Sequence, residues 1–199
     1  MKKNTKRVQK LADIASVSMG YSFRSRVEPE EDGYISVVQL RNIREDGTLD
    51  TDELVSVSLD KVKSSYWLHP RDIVLCSRGV SMPAALVPDD LGRAIAASPV
   101  LLIRLTSEML DPEYLVWFLN HPSLGQRQLS SIQRGTSMPI VNKRELLDLE
   151  VVIPPMSSQI EISALSALHI QESNLLEKVQ EKRNRYMNSI LVKCMDGEL

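Results

Sequence analysis

The chain has 199 residues, 43% of them hydrophobic and 25% charged, which is enough for one buried domain and a further segment. Its net charge of −2 at pH 7 argues against a wholly basic nucleic-acid binder. No apolar run is long enough to span a bilayer, and the basic N-terminus leads into no apolar signal core, so neither a membrane protein nor a secreted one is expected. Cys76 and Cys194 lie in no CxxC motif, which predicts reduced thiols and a cytoplasmic location.

Short apolar runs bounded by Gly, Pro or Asp predict an α/β domain with a mixed sheet over residues 1–155. Residues 8–17 are compatible with a short helix or a strand. The predicted strands lie at residues 34–40, 55–59, 72–77, 84–87, 99–105 and 149–153, and the predicted helices at residues 111–120, 123–132 and 142–147. The first of these helices has a typical start, because Asp111 suits the N-cap, Pro112 the first position and Glu113 the first turn.

The composition changes after Pro154 and Pro155 and predicts one long amphipathic helix in residues 156–199. Residues 157–193 contain neither Gly nor Pro, and Ser157 or Ser158 with Glu161 offers a capping box. Such a helix is on the order of 50 Å long at ~1.5 Å per residue, so it projects from a small domain and its apolar stripe needs a partner. The stripe expected to pair in a coiled-coil manner comprises Leu165, Leu168, Leu175, Val179 and Tyr186. The alternative is a helix that folds back on its own domain.

Two loops of the domain carry nearly the same hexapeptide, RGVSMP at residues 78–83 and RGTSMP at residues 134–139. Each contains a permanently charged guanidinium, a glycine that can adopt positive φ, a hydroxyl group and a stiffening proline. Such groups suit phosphates and base edges, so the pair favours a nucleic-acid surface built from two loops. The alternative is two unrelated turns, since Gly, Ser and Pro are common in turns of every kind.

The charge distribution supports an anionic partner for both hexapeptides. Residues 73–88 and 114–144 contain no Asp or Glu. The second of these segments contains four basic residues, Arg127, Arg134, Lys143 and Arg144. The acidic residues gather instead at 28–32 and 45–53. Because the acid-free segments coincide with the repeat, the functional interpretation of the hexapeptides gains weight.

The sequence offers no catalytic motif and predicts neither a cofactor nor a metal site. His69, His121 and His169 are widely separated and show no metal-ligand spacing. GxSxG, Walker, GxGxxG and HExxH motifs are absent, and the paired acids Asp89 and Asp90 lie in a turn flanked by Pro and Gly. The sequence therefore favours binding over catalysis.

Several segments, taken in order, resemble one family. LHPRDIVLCSRG at residues 68–79 resembles the "L…GDI…S..G" stretch of target-recognition domains in type I restriction–modification specificity subunits. RGTSMPIVNKRELLDLEVVIPPMSSQIEI at residues 134–162 resembles the far end of the same domain, KLADIASVSMG its opening and YISVVQLRNI its first strands. The chain departs from the pattern at Arg71, where the family commonly has glycine, and this puts the geometry of that turn in question.

The resemblance implies a DNA-recognition role. Such subunits usually carry two recognition domains separated by two long helices, each domain reads one half of a bipartite site, and the helices dock methyltransferase subunits. This chain has one domain and one helix, so it is similar to a half-subunit. The resemblance therefore implies a non-enzymatic subunit whose partners are double-stranded DNA, a second copy of itself and the methyltransferase subunit, with the restriction subunit as a further candidate. As a homodimer it would read an interrupted palindrome.

The residues expected to contact DNA come mainly from the two hexapeptides. They are Arg78, Ser81, Arg134, Thr136 and Ser137, with Lys143 and Arg144 as backbone anchors and Tyr21, Arg24 and Arg26 as weaker candidates. The alternative function is a protein-only assembly or regulatory factor, which binds methyltransferase subunits through its helix without reading DNA. The near-neutral net charge favours this alternative slightly.

Overall fold

The structure is a computed structural model that describes residues 7–134 and 139–196. These residues divide into two compact units between Ile160 and Glu161. The strands are β1 (Arg7–Lys10), β2 (Ala15–Met19), β3 (Ile35–Val38), β4 (Val55–Val57), β5 (Ile73–Cys76), β6 (Ala84–Leu86), β7 (Ala94–Ala96), β8 (Val100–Leu105) and β9 (Glu150–Ile153). The α-helices are α1 (Leu11–Ile14), α2 (Pro112–Asn120), α3 (Arg127–Ile132), α4 (Lys143–Leu147) and α5 (Met156–Met195).

Among its described residues, the first unit contains three sheets. The largest has the order β2-β8-β5-β6 and is antiparallel throughout, while β4-β3-β7 combines an antiparallel and a parallel pair. β1 pairs with β9, which brings the start of the described chain beside the segment that precedes α5. The prediction of a mixed α/β domain followed by a long helix is thereby confirmed.

Residues 8–17 contain both of the alternatives that the sequence allowed, because β1 and β2 flank the short helix α1. The predicted helix at 123–132 is in fact a π-helical turn at Pro122–Gln126 followed by α3. β7 was not predicted. It has only three residues, Ala-Ile-Ala, and alanine has low strand propensity, so its place in the sheet comes from burial beside β3.

The start of α2 is as predicted, since the Asp111 side chain accepts a hydrogen bond from the Tyr114 N–H at 3.0 Å. The prediction of a capping box at the start of α5, formed by Ser157 or Ser158 with Glu161, is wrong. The Pro155 carbonyl accepts the N–H groups of Ser158 at 2.9 Å and Gln159 at 3.1 Å, so helical bonding begins there and Ser157 and Ser158 lie within the first turn.

Asp72, which follows Arg71 in the family-like stretch, has a structural role. Its side chain is 3% exposed and accepts hydrogen bonds from Arg104 and from the His69 N–H. Arg71 itself adopts the left-handed conformation, with φ 65°, which is the conformation that glycine adopts most readily. The Arg71 guanidinium pairs with Asp111 at 3.0 Å.

Candidate nucleic-acid interface

Ile140 joins the two hexapeptide segments by backbone pairing on both of its sides. Its antiparallel bridge to Arg78 is flanked by hydrogen bonds from the Gly79 N–H to the Pro139 carbonyl at 3.1 Å and from the Val141 N–H to the Ser77 carbonyl at 2.9 Å. Its second bridge is to Arg134, where the two residues exchange both backbone hydrogen bonds, at 3.0 and 2.9 Å. The residues around 78, 140 and 134 therefore form a narrow three-stranded ribbon.

The ribbon places two arginines on one surface. Directly paired residues in antiparallel strands project their side chains to the same face, so Arg78, Ile140 and Arg134 share a face. At a strand spacing of ~4.8 Å, the Cα atoms of the two arginines are about 10 Å apart. The Arg134 side chain is 78% exposed, Ile140 is 37% exposed and Arg78 is exposed as well. Two guanidinium groups on either side of the Ile140 side chain can donate hydrogen bonds to successive phosphates or to base edges.

Glu145 holds the guanidinium of Arg134. Its carboxylate pairs with Arg134 Nε, and the Glu145 side chain is only 15% exposed. Glu145 also belongs to a capping box at the start of α4, in which its N–H donates to Asn142 Oδ1 at 3.0 Å. This pairing orients Arg134 and partly offsets its charge. Sequence patterns do not reveal this contact, because Glu145 lies just beyond the acid-free segment.

The first hexapeptide has an exposed tip on a buried base. Val80 is 88% exposed and Ser81 is exposed, whereas Met82 is fully buried. Gly79 has φ 118°, as the sequence predicted for a glycine at this point of the loop. The buried Ser77 hydroxyl donates to the Pro99 carbonyl, which fixes the chain immediately before Arg78.

Two amide side chains hold the other end of this loop against α2. Gln126 accepts from the Met82 N–H at 3.3 Å and donates to the Met82 carbonyl at 2.9 Å. Asn120 does the same for Ala84, with both hydrogen bonds at 2.8 Å. Because β6 is the edge strand of its sheet, these amides take the place of a neighbouring strand. The loop is thus presented on a fixed base, a feature that local sequence patterns did not reveal.

The other predicted contact residues have different positions. Thr136 and Ser137 lie outside the described residues. Lys143 and Arg144 are exposed in the first turn of α4, three and four residues after Ile140. Arg24 and Arg26 are exposed on the segment between β2 and β3, and no hydrogen bond or ion pair within the described ranges connects them to the ribbon.

Tyr21 is partly buried, and its ring packs against two other aromatic rings of the domain. The ring contacts Phe23 at 4.9 Å and Tyr66 at 5.3 Å between centroids, in edge-to-face arrangements. Its backbone pairs with Ala97. The tyrosine therefore contributes to the small core around β3, which weakens its candidacy as a DNA contact.

One of the histidines has a structural role. His121 Nδ1 accepts the Ser123 N–H at 3.2 Å, so this ring caps the turn that follows α2. Across residues 7–134 and 139–196, no group of three His, Cys, Asp or Glu side chains is arranged to hold a metal ion. Over the same ranges, no helix is both long enough and apolar enough to cross a membrane.

In the second unit, α5 exposes the predicted stripe. Leu165, Leu168, Leu175, Val179 and Tyr186 are each between 60% and 67% exposed. Large apolar side chains repeated along one helix are a common feature of surfaces that pair with another helix.

The chain matches the family model of the type I restriction modification DNA specificity domain over residues 3–182, and it therefore belongs to this family. The resemblance inferred from the sequence is confirmed, and so is the prediction that the chain is not an enzyme, because the family is the non-catalytic specificity component. No curated protein matches the chain.

Solved structures of the same class share the fold. A structure from a study of complex assembly and conformational transition in a type I restriction–modification system has a TM-score of 0.70 at 17% identity, covering 100% of this chain and 47% of that one. The HsdS subunit from Thermoanaerobacter tengcongensis gives 0.62 at 18% identity, covering 100% and 46%, and the S subunit from M. genitalium gives 0.59 at 14%, covering 92% and 44%. The chain thus spans less than half the length of each of these proteins.

Proposed function

We propose that this chain is the DNA-recognition part of a type I restriction–modification system and reads one half of a bipartite site. The observation that carries the proposal is the pairing of Arg78 and Arg134 with the two sides of Ile140. Arg78 and Arg134, the first residues of the two hexapeptides, lie far apart in sequence but pair with the same residue and share one face. A pair of unrelated turns would have no reason to meet in this way.

The surroundings of the ribbon suit a polyanion. Residues 73–88 and 114–144 supply both loops without an acidic residue, and Lys143 and Arg144 add exposed positive charge immediately after the ribbon. The net charge of −2 is consistent with this arrangement, because acids concentrated at 28–32 and 45–53 offset basic residues elsewhere. The arginines would donate to phosphates and guanine edges, and the Ser81 hydroxyl to phosphate.

The proposal extends to a homodimer through α5, arranged antiparallel. Residues 161–177 carry Glu161, Glu172 and Glu177 without Lys or Arg. Residues 178–193 carry five basic residues and only one acid: Lys178, Lys182, Arg183, Arg185 and Lys193, with Glu181. An antiparallel pair brings the acidic half of each helix to the basic half of the other, whereas a parallel pair brings like charges together.

A homodimer of this kind would present two recognition domains, in keeping with a chain that spans less than half the length of the structures it matches. Its paired helices would also be the docking surface for the methyltransferase subunit and for the restriction subunit where the system has one. Its proposed partner, double-stranded DNA, makes the cytoplasm the expected location.

The test is DNA binding by the purified chain, alone and together with a methyltransferase subunit of a type I system. Sequence-selective binding should be measured at two stated salt concentrations, with a random duplex as competitor, because phosphate contacts make affinity depend strongly on salt. Selective retention of one duplex class supports recognition. Stable binding of the methyltransferase without any DNA selectivity would instead favour the protein-only assembly role.

A further inference from the structure

The apolar face of α5 has a centre of eight residues, here called the central row. At ~100° per residue they fall within a sector of about 100° around the helix axis. All of them except the half-buried Ile190 are exposed. In chain order they are Leu165, Leu168, Glu172, Leu176, Val179, Arg183, Met187 and Ile190.

The central row has the same spacing in both directions along the helix. Successive members are 3, 4, 4, 3, 4, 4 and 3 residues apart, so the series is unchanged when it is read from its C-terminal end. The pattern repeats every 11 residues, and because 11 residues make about three helical turns, the row stays on one face of the helix. Two such rows therefore match position by position when their helices run in opposite directions.

Glu172 and Arg183 interrupt the apolar character of the row. Each is the third member from its own end, and both are exposed. Neither has a partner of opposite charge along its own helix. The residues three and four positions from Glu172 include no Lys or Arg, and those from Arg183 include no Asp or Glu. A charge within a covered apolar face is costly without a counter-charge, so the surface that covers this row should bring an acid to Arg183 and a base to Glu172.

We propose that a second copy of this chain supplies both charges, in one antiparallel register centred between Glu177 and Lys178. The inference rests on the proposed homodimer and adds the register that holds it together. Glu172 of each copy then pairs with Arg183 of the other. The remaining members of the row meet apolar side chains throughout, as Leu165 opposite Ile190, Leu168 opposite Met187 and Leu176 opposite Val179.

Other arrangements of the two rows bring like charges together. Sliding one antiparallel helix by 11 residues places Glu172 opposite the second copy's Glu172, or Arg183 opposite its Arg183, depending on the direction. A parallel pair in register does both. The proposed register also uses residues 160–195, which is nearly all of α5. Charged residues within an apolar seam contribute little net stability but select register and orientation, and this is the role of Glu172 and Arg183.

The test exchanges the two charges in the full chain and measures self-association by analytical ultracentrifugation. Glu172→Arg and Arg183→Glu should each raise the dimer Kd by about a hundredfold, because both pairs of the dimer become like-charged. An equimolar mixture of the two variants should associate as tightly as the wild type, since the mixed dimer has opposite charges at both pairs. Glu177→Arg is the matched control. It makes the same change of charge at an exposed position outside the row and should leave the Kd unchanged.

Two results of this experiment contradict the proposal. One is a wild-type dimer whose Kd changes in neither single variant. The other is a loss of association in both variants that the mixture does not restore, which would show damage to the helix without pairing of these two residues.

Cross-linking through Cys194 tests the register separately. Cys194 is exposed and Cys76 is buried, and the register places Cys194 opposite Glu161 of the second copy. Glu161→Cys should therefore form a cross-linked dimer with a short bismaleimide. The wild type should not, because its two Cys194 residues lie about 50 Å apart at ~1.5 Å per residue. Ser173→Cys, near the middle of the helix, is the control and should not be cross-linked to Cys194. Efficient cross-linking of the wild type would show a parallel pair and overturn the proposal.

The outcomes distinguish this inference from the proposed function. A wild-type dimer that resists both charge variants removes the register and leaves the homodimer in place. A wild-type chain that is monomeric at high micromolar concentration removes the homodimer and the register together. DNA binding by the same samples, measured in parallel, reports on the recognition role in either case.

Discussion

Arg104 donates two hydrogen bonds to the Asp72 carboxylate, from Nε to Oδ1 at 2.7 Å and from a terminal nitrogen to Oδ2 at 2.6 Å. The same guanidinium donates to the Trp67 carbonyl at 3.0 Å, and the Asp72 carboxylate raises the pKa of Arg104 further above its ordinary value. The pair connects the start of β5 with the end of β8 and with the segment before the Arg71 turn. It therefore supports the strand that leads into the Arg78 loop.

Asp72→Asn should lower the free energy of unfolding by about 3 kcal/mol, because a nearly buried carboxylate that balances a guanidinium is lost. Urea denaturation measures the effect. Asp148→Asn is the matched control, since Asp148 pairs with Lys10 at 2.8 Å but both side chains are largely exposed. A comparable loss in the two variants would show that burial of the Asp72 pair gives it no special weight.

The conformation of Arg71 leads to a second prediction about stability. Arg71 has φ 65°, a conformation that costs a residue with a Cβ roughly 1 kcal/mol relative to glycine. Arg71→Gly relieves this strain but removes the ion pair with Asp111, so the net change in unfolding free energy should be small. Arg71→Ala loses the pair and keeps the strain. We therefore expect the Gly variant to be more stable than the Ala variant by about 1 kcal/mol in urea denaturation; equal stability would contradict the backbone argument.

Much of the fold could be predicted from local signals, and the missing parts are those that depend on distant contacts. The cap at Asp111, the paired apolar runs and the long helix follow from spacing and composition. The double pairing of Ile140 does not, because no feature of residue 140 reveals that residues 78 and 134 will meet beside it. β7 and the amide clamp by Gln126 were likewise invisible, since tertiary burial and one side-chain hydrogen-bond pattern determine them.

For the candidate site, the sequence predicted the residue types but not their arrangement. Arg78, Ser81 and Arg134 were chosen from the repeat, and the structure brings both arginines to one ribbon. The neutralising contact with Glu145 had no signal in sequence spacing, because it arises from loop packing.

The ribbon makes a direct prediction for DNA binding. Arg78→Ala and Arg134→Ala should each weaken binding by ~1–3 kcal/mol with the fold intact, because each removes an exposed guanidinium. Arg44→Ala is the control, as Arg44 pairs with Asp50 in an acid-rich segment. Fluorescence anisotropy at two salt concentrations measures the losses. If a complex that binds DNA keeps its affinity in both variants, the ribbon does not contact DNA.

Substitutions of Ile140, the middle residue of the ribbon, provide a second test of DNA contact. Ile140→Lys places a third cation between the two arginines, and it should raise DNA affinity and increase the salt slope by about 1. Ile140→Glu should do the reverse at a position of equal exposure. Because Ile140 is 37% exposed, neither change requires burial of a charge in the core. Unchanged affinity in both variants would place the DNA elsewhere.

The stripe on α5 predicts self-association. Val179→Asp puts a carboxylate in the middle of the apolar stripe and should dissociate the dimer, since an unpaired charge in a helix interface is costly. Light scattering across a concentration series decides the outcome, with Asn184→Asp, an exposed position outside the stripe, as a control that adds the same single charge. A wild-type chain that remains monomeric at high micromolar concentration would show that the stripe serves a different protein.

The final prediction joins the ribbon to the helix. If two copies pair their α5 helices antiparallel, a two-fold axis relates their recognition domains, and each domain meets the DNA in the opposite strand sense. A dimer with two-fold symmetry binds best to a DNA sequence that has the same two-fold symmetry. The target should therefore be an interrupted palindrome with two identical short half-sites, whose centres lie about one turn of DNA apart, ~34–36 Å. Methylation mapping in cells that carry this chain and its methyltransferase tests the arrangement. Lengthening α5 by two turns should widen the spacer between the half-sites without changing them, whereas an asymmetric or uninterrupted target in the wild type would exclude the homodimer.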